Sequence, residues 1–375
     1  MSVVSGQPVS GGTATREDGH ERTRHEREED GVVADSVALV GFGYWGPNLA
    51  RNLQTLAGPR WRYLVDASAD RRARAAAQFP QVTVTGDLDR VVDDDEVTAV
   101  VLATPAATHA PLARRLLEAG KHVMVEKPLA LSTDDAVALT RLAEERGLVL
   151  MVGHTFEFVP AVRKMKSIID AGEIGDVLYL HSQRLNLGRI QSDINAFWSI
   201  GPHDVSISNY LIGRSPEWVS ARGARYLQES VEDVTFVTVG YPNGVLSHMH
   251  VSWLDPTKTR RTTVVGSRQM IVYDDLDTDG RLRVFDKGAD RLEPDAYGAW
   301  QYRLRDGAMY VPRLELVEPL AEELRHFLEC VRTGDRPCTD GWNGVAVVAV
   351  LEAVDESLRR HGAEVKIDMP VEALR

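Results

Sequence analysis

Val37, Ala38, Leu39 and Val40 form an unbroken apolar run, the pattern of a short strand buried on both faces. Gly41, Gly43 and Gly46 follow as G-x-G-x-x-G, and Leu49, Leu53 and Leu56 then recur at helical spacing. Each glycine answers a physical demand. Gly41 permits a tight turn off the strand, and Gly43 leaves no side chain to hold a pyrophosphate away. Gly46 lets the helix lie close to the sheet, with its N-terminal N–H groups aimed at phosphate. Phe42, Tyr44 and Trp45 complete the same turn. A carboxylate for a ribose 2′-hydroxyl is expected roughly 20 residues on, and Asp66 stands there, closing a second apolar stretch over 61–65. Three glycines in a turn arise by chance. Strand, glycines, helix, strand and acid in that order predict a dinucleotide site, and the acid favours NAD over its 2′-phosphorylated form. The bland alternative is a Rossmann-like half with no dinucleotide in it.

The alternation of strand and helix continues. A helix is expected over 71–79, a strand over 82–84, a very apolar strand over 97–103, and a helix over 111–119 stopped by Gly120. A strand over 122–125, a helix from the Ser132 cap to Arg146 and a strand over 148–152 complete the series. This predicts an α/β Rossmann domain, a doubly wound parallel sheet, over 34–153. The pattern then changes. After a helix over 160–171, strands are expected over 177–185, 218–227, 234–241, 245–253 and 262–274, without regular helices between them. Tyr241-Pro242-Asn243-Gly244 has hairpin-turn chemistry, and helices over 314–332 and 344–361 close the chain. The expectation is an α+β C-terminal domain over 154–375, for substrate binding and oligomerisation, built on one large, mostly antiparallel sheet.

Residues 1–33 read differently. Gly, Ser and Thr give way to a charged run from Arg16 to Asp30, too polar to offset the entropy of ordering, so a disordered tail is expected rather than a short partner-binding helix. No stretch approaches 18 consecutive apolar residues, and the first residues lack the features of a secretory leader. Cys330 and Cys338 are too few for a disulfide framework or a four-cysteine metal site, which points to a cytoplasmic protein. A net charge of −12 argues against nucleic acid, so an anionic cofactor must be held by local dipoles and a few cations.

Three clusters carry chemistry: Thr104-Pro105 with His109 soon after, Glu126-Lys127-Pro128, and Ser199 to Asp204 just before a helix expected over 205–211. Ligands of open α/β sheets bind outside the carboxyl ends of the strands, which puts Thr104 and Lys127 on the edge that faces a nicotinamide. Lys127 either sets a cation beside a reacting hydroxyl or snorkels into water. His203 is either a general base or a helix cap. Arg184, Asn186, Asp193 and Asn195 suit a polyol, and Arg184 suits a phosphate or carboxylate; an exposed strand end and loop would look the same. His248 and His250 alternate on one strand face without a third ligand in view, so no metal is expected.

In this order the motifs resemble the Gfo/Idh/MocA family (glucose–fructose oxidoreductase, inositol dehydrogenase) over residues 36–368, including the ending H-F-L-E-C-V-R-T-G-D-R-P-C-T-D-G. R-L-N-L-G at 184–188 and F-W-S-I-G-P-H-D at 197–204 most resemble members acting on sugars or sugar nucleotides. The resemblance implies an NAD-dependent oxidoreductase acting on a secondary alcohol or ketone of a sugar, amino sugar, cyclitol or sugar nucleotide. It implies that Lys127 meets nicotinamide and substrate, that the Lys127–Pro128 bond is often cis, and that His203 is the base. Gly41, Phe42, Gly43, Tyr44, Trp45, Gly46, Asp66, Thr104, Pro105, His109, Glu126 and Lys127 are the cofactor candidates. Lys127, Arg184, Asn186, Asn195, Ser199 and His203 are the substrate candidates. A sheet with one helix-free face further suggests a homodimer or homotetramer.

One position departs from the family. Relatives commonly have aspartate four residues before the histidine, and this chain has Ser199. A carboxylate there would orient the imidazole and stabilise its cation; a hydroxyl carries no charge. Without that partner His203 is expected to titrate near roughly 6.5, unless Asp204 takes over or the substrate brings its own charge. Two rival functions stay open: a redox-neutral enzyme that keeps NAD bound while it epimerises or eliminates through a transient ketone, and a catalytically impaired dinucleotide-binding sensor.

Overall fold

The computed structural model describes residues 36–188, 190–192, 194–291 and 302–370. The tail expected over 1–33 and the candidate Asp193 lie outside the described residues.

Strand β1 (Ser36–Val40) is buried along its whole length, as its apolar run requires. Helix α1 (Gly46–Ala57) follows the glycine turn and sinks Leu49, Ala50 and Leu53 into the sheet. Then come β2 (Trp61–Val65), α2 (Ala69–Gln78), β3 (Thr83–Thr85), the single-turn α3 (Asp89–Val92), β4 (Val97–Leu102), α4 (His109–Glu118), β5 (His122–Glu126), α5 (Thr133–Glu145) and β6 (Leu150–Gly153). The six strands pair in parallel in the order β3-β2-β1-β4-β5-β6, the doubly wound arrangement. The order reverses between β1 and β4, so the crevice at their carboxyl ends lies beside the glycine turn and the Thr104 turn.

Past β6 the chain makes α6 (Pro160–Asp170), β7 (Val177–Leu185), the short α7 (Ala196–Ile200) and α8 (Pro202–Ile212). Strands β8 (Trp218–Ala224), β9 (Val234–Gly240), β10 (Leu246–Ser252), β11 (Thr259–Gly266), β12 (Met270–Asp274), β13 (Leu282–Arg291) and β14 (Tyr302–Tyr310) follow, then α9 (Pro319–Thr333), α10 (Gly341–Arg359) and β15 (Val365–Lys366). Nine of these strands form one sheet, ordered β14-β13-β12-β11-β7-β10-β9-β8-β15, with β7–β10 the parallel pair in an otherwise antiparallel ladder. The strand expected over 262–274 is in fact two, β11 and β12, because the chain reverses over Ser267–Gln269. Tyr241-Pro242-Asn243-Gly244 does turn β9 into β10, with Asn243 and Gly244 at φ of 66° and 76°.

The closing helices return to the first sheet. Helix α10 lies against α5, α8 and β8, while α9 lies against α1. Ahead of α10, the Thr339 hydroxyl donates to the Val152 carbonyl at 2.8 Å, and the Val152 N–H donates to the Thr339 carbonyl at 2.7 Å. That strap occupies the edge of β6, which would otherwise present unpaired backbone groups.

Candidate active site

Gly41 has φ of 105°, and a Cβ built on it would stand 2.3 Å from the Ala103 carbonyl oxygen, so no side chain fits where β1 passes the end of β4. A Cβ on Gly46 would stand 2.5 Å from the Gly41 oxygen, which is the close approach of helix to strand expected from the spacing. At Gly43 the nearest neighbour of such a Cβ is a nitrogen of Arg71 at 3.7 Å, so the turn is open there. A cradle closed at its first and third glycines and open at its second fits a bound pyrophosphate.

Asp66 holds this turn from the end of β2. Its Oδ2 accepts the Phe42 N–H at 2.7 Å, its Oδ1 accepts the Ser68 N–H at 2.8 Å, and an Arg71 nitrogen lies 3.7 Å away. Each oxygen keeps acceptor capacity beyond these bonds, enough to take a ribose hydroxyl. Phe42 contributes differently from expectation. Its N–H is taken by Asp66, and its ring packs against Phe79 in the core at 6.2 Å. Tyr44 and Trp45 are exposed, and the Trp45 indole hydrogen-bonds the Glu126 carboxylate. Glycine turn and E-K-P turn are thereby joined.

His109 bridges two turns of the site. Its ring nitrogens lie 2.7 Å from the Pro128 carbonyl and 2.8 Å from the Thr104 carbonyl, and the side chain is buried. It ties the turn after β4 to the turn after β5, and burial, with a contribution from Lys127, pushes its pKa down. Thr104 and Pro105 sit in the first of those turns, where the Thr108 hydroxyl lies 2.7 Å from the Thr104 hydroxyl.

Lys127 follows β5, and its bond to Pro128 is cis, as the resemblance implies. Its Nζ donates to the Ser199 carbonyl at 2.7 Å. That bond ties the end of the parallel sheet to the α7–α8 corner, four residues from His203. Burial lowers the Lys127 pKa; Glu126 opposes the shift and Arg184 adds to it. His203 stands at the start of α8 with its ring 4.8 Å from that of Phe156. Burial holds its pKa well below 6.5, and Lys127, Arg184, His154 and Arg260 push the same way. Where the sequence led to an ordinary imidazole, burial and the surrounding cations both favour the neutral form of His203.

Neither proposed carboxylate substitute reaches the base. Ser199 Oγ accepts from Gln191 at 2.7 Å. Asp204 turns to Arg184, whose Nε donates to its Oδ2 at 2.6 Å, both side chains being buried. Arg184 also lies over the Phe156 ring at 4.4 Å. The pairing with Asp204 matches the charge of Arg184 within the protein. Asn195 is also engaged internally: its Oδ1 accepts the Trp198 N–H to cap α7, and its Nδ2 donates to Asp355. Asn186 is exposed beyond the end of β7, with its backbone N–H on the Ser252 carbonyl. His248 bonds Thr238 and His250 stacks on Phe236, both on the helix-free face of the large sheet.

Several groups at the site escaped the sequence reading. His154 is 1% exposed next to Lys127 and His203, with its pKa lowered to about 3 by burial and by Lys127. Below the E-K-P turn, burial raises Glu126 to about 7, and burial also raises Glu323 of α9 well above the usual carboxylate range, with Glu126 as a contributing charge. Glu157 accepts from Ser206 at 2.6 Å and from Asn343, and burial raises it to about 7. Glu323 had a legible signal, since it shares the buried stripe of Leu320, Leu324 and Phe327.

Comparison with known proteins agrees with this fold. Residues 36–154 match the family model described as an oxidoreductase family with an NAD-binding Rossmann fold, and residues 162–272 match the GFO/IDH/MocA C-terminal domain; together they span more than half of the chain. Inositol 2-dehydrogenase 2 of Saccharopolyspora erythraea is 29% identical over 330 residues, 85% of this chain and 91% of that protein. A 2,7-anhydro-N-acetylneuraminate hydratase of Mediterraneibacter gnavus is 27% identical over 261 residues, 66% of this chain and 69% of the relative. Among solved structures, GenD2 from gentamicin A biosynthesis in complex with NAD has a TM-score of 0.74 at 27% identity, covering 89% of this chain and 96% of the other.

Proposed function

The chain belongs to the Gfo/Idh/MocA oxidoreductase family, and from that premise we propose an enzyme that interconverts a secondary alcohol and a ketone on a sugar, amino sugar, cyclitol or sugar nucleotide. The observation that carries the reading is the bond from Lys127 Nζ to the Ser199 carbonyl, which brings the cation of one sheet to the corner that starts the helix of His203. Gly41, Gly43, Gly46 and Asp66 would hold NAD, which when bound accepts the hydride. Neutral His203 takes the hydroxyl proton. The Lys127 ammonium stabilises the negative charge that develops on the substrate oxygen, in surroundings dry enough to make that charge count. Because the surroundings of His203 disfavour its cation, Lys127 carries much of the stabilisation.

The experiment is product analysis with NAD over a panel of free sugars, sugar phosphates, cyclitols and nucleotide sugars. Ketone and NADH in equal amounts from one member support the proposal, and NAD binding without conversion of any member removes it. A redox-neutral reading, with NAD retained through epimerisation or elimination, is favoured by the hydratase among the relatives. It requires product without released NADH. We place the enzyme in the cytoplasm; among the described residues no helix is long and apolar enough to cross a membrane. The face of the large sheet away from its helices exposes Tyr179, Phe236 and Leu246 on adjacent strands, and we assign it to pairing with a second copy. Light scattering showing a monomer at micromolar concentration would contradict that assignment.

A further inference from the structure

Arg260 of β11 lies directly opposite Arg184 of β7 in the antiparallel ladder. Opposed residues share a face, so both side chains point to the side of the sheet that carries α8 and His203. There their circumstances differ. Arg184 is 7% exposed, and its charge is matched by Asp204. The Arg260 side chain is 39% exposed and is held through one nitrogen, Nη1, 3.2 Å from Asp275 Oδ2. Asp275 is fixed in turn: its Oδ1 accepts the Tyr273 hydroxyl at 2.8 Å, and its N–H donates to the Arg260 carbonyl at 2.9 Å. The guanidinium is thus oriented while its remaining donors lie outside the ion pair. Beyond Asp275 the nearby acids are engaged elsewhere, Asp274 with Arg261 on the opposite face and Asp277 with Arg283. Arg260 is also the least of the cations that push the His203 pKa down, after burial, Lys127, Arg184 and His154.

A neutral polyol has no use for a further guanidinium, partly exposed and held by one acid, on the face that carries Arg184 and the base. An anionic substrate has two. Its charged group would find a fixed planar donor, and its charge would offset the cations that keep His203 from accepting a proton. We propose that Arg260 is the anion-recognition residue of the substrate site and that the substrate carries an oxyanion group, a carboxylate or a phosphate. That charge stands in for the carboxylate missing at Ser199. The proposal rests on the oxidoreductase reading above.

The test measures initial rates of the full-length protein with NAD on four probes: a free hexose, its uronic acid, its 1-phosphate and its UDP-linked form. The anionic probes are expected to exceed the free hexose in kcat/KM, and the better of the carboxylate and phosphate arms identifies the group. In Arg260→Gln the anionic-to-neutral ratio should fall by about tenfold or more, mainly through KM, as expected for losing a charge-assisted bond. Arg260→Lys should restore part of it, and Arg261→Gln should leave it unchanged. The acid limb of kcat, which reports the enzyme–substrate complex, should lie at higher pH for an anionic probe than for the neutral one. An unchanged ratio in Arg260→Gln, or a preference of the unmodified protein for the free hexose, overturns the proposal. If neither these probes nor any member of the wider panel is oxidised, the oxidoreductase reading fails instead, and calorimetric binding of the same probes to the protein–NAD complex, with and without Arg260→Gln, still decides the anion site.

Discussion

Burial and the cations around His203 both disfavour its protonated form, because a second positive charge would have to form in a poorly solvated place already holding Lys127 and Arg184. Alcohol oxidation needs the imidazole neutral, so the acid limb of kcat/KM with a neutral polyol should lie below pH 6.5, and kcat/KM should be level on rising from about pH 6.5 toward neutrality. His203→Ala should lower kcat by roughly 100-fold or more, the usual scale of general-base catalysis. A limb centred at or above 6.5, or a fully active His203→Ala, would show that another group takes the proton. At this scale the sequence conveyed residue type but not partner. Lys127 and His203 were legible because they sit in short motifs at strand and helix ends. The fates of Arg184 and Asn195 depend on Asp204, 20 residues away, and Asp355, 160 away, which no local pattern could announce.

Among the elements, the parallel sheet was readable because glycines punctuate it and its strands are apolar on both faces. The misreadings have separate causes. Strands β11 and β12 merged because Val264-Val265 and Met270-Ile271-Val272 flank a three-residue reversal that lacks the residues of a strong turn. Strand β14 went unread because it lies at the sheet edge, where Y-R-L-R-D-G-A-M-Y buries little, and β13 because its apolar alternation ends after Leu282 and Val284 in the polar D-K-G-A-D-R. Helix α9 starts at Pro319 and not at residue 314, since proline favours the first helical position; α10 starts at Gly341 because Asp340 caps it through the Asn343 N–H. The turn after β6 carries a testable consequence. Glu157 there has its folded pKa raised from 4.5 to about 7, so the folded state binds more protons than the unfolded chain between those values. Its contribution is fully present below about pH 4.5 and is lost as pH rises through about 7, on the order of 3 kcal/mol at most. Glu157→Gln should therefore flatten the decline of the unfolding midpoint over that window relative to the unmodified protein. Identical pH slopes in the two proteins would mean that Glu157 is ionised in the folded state.

On the scale of the whole molecule, the site exists because two sheets meet. The parallel sheet supplies Lys127, the corner beside the large sheet supplies His203, and α9 brings Glu323 beneath Glu126. The order of motifs foretold that two domains would contribute. It did not foretell the buried carboxyl cluster between them, which only the returning C-terminal helices create. The most direct measurement of the account is the turnover of Lys127→Met beside its NAD affinity, on whichever panel member the unmodified protein converts. Methionine keeps most of the stem and removes the charge. NAD affinity should change little while kcat falls by at least about 100-fold, the cost of losing one preorganised charge in the transition state. A variant that binds NAD and keeps most of its kcat would contradict the catalytic role assigned to Lys127.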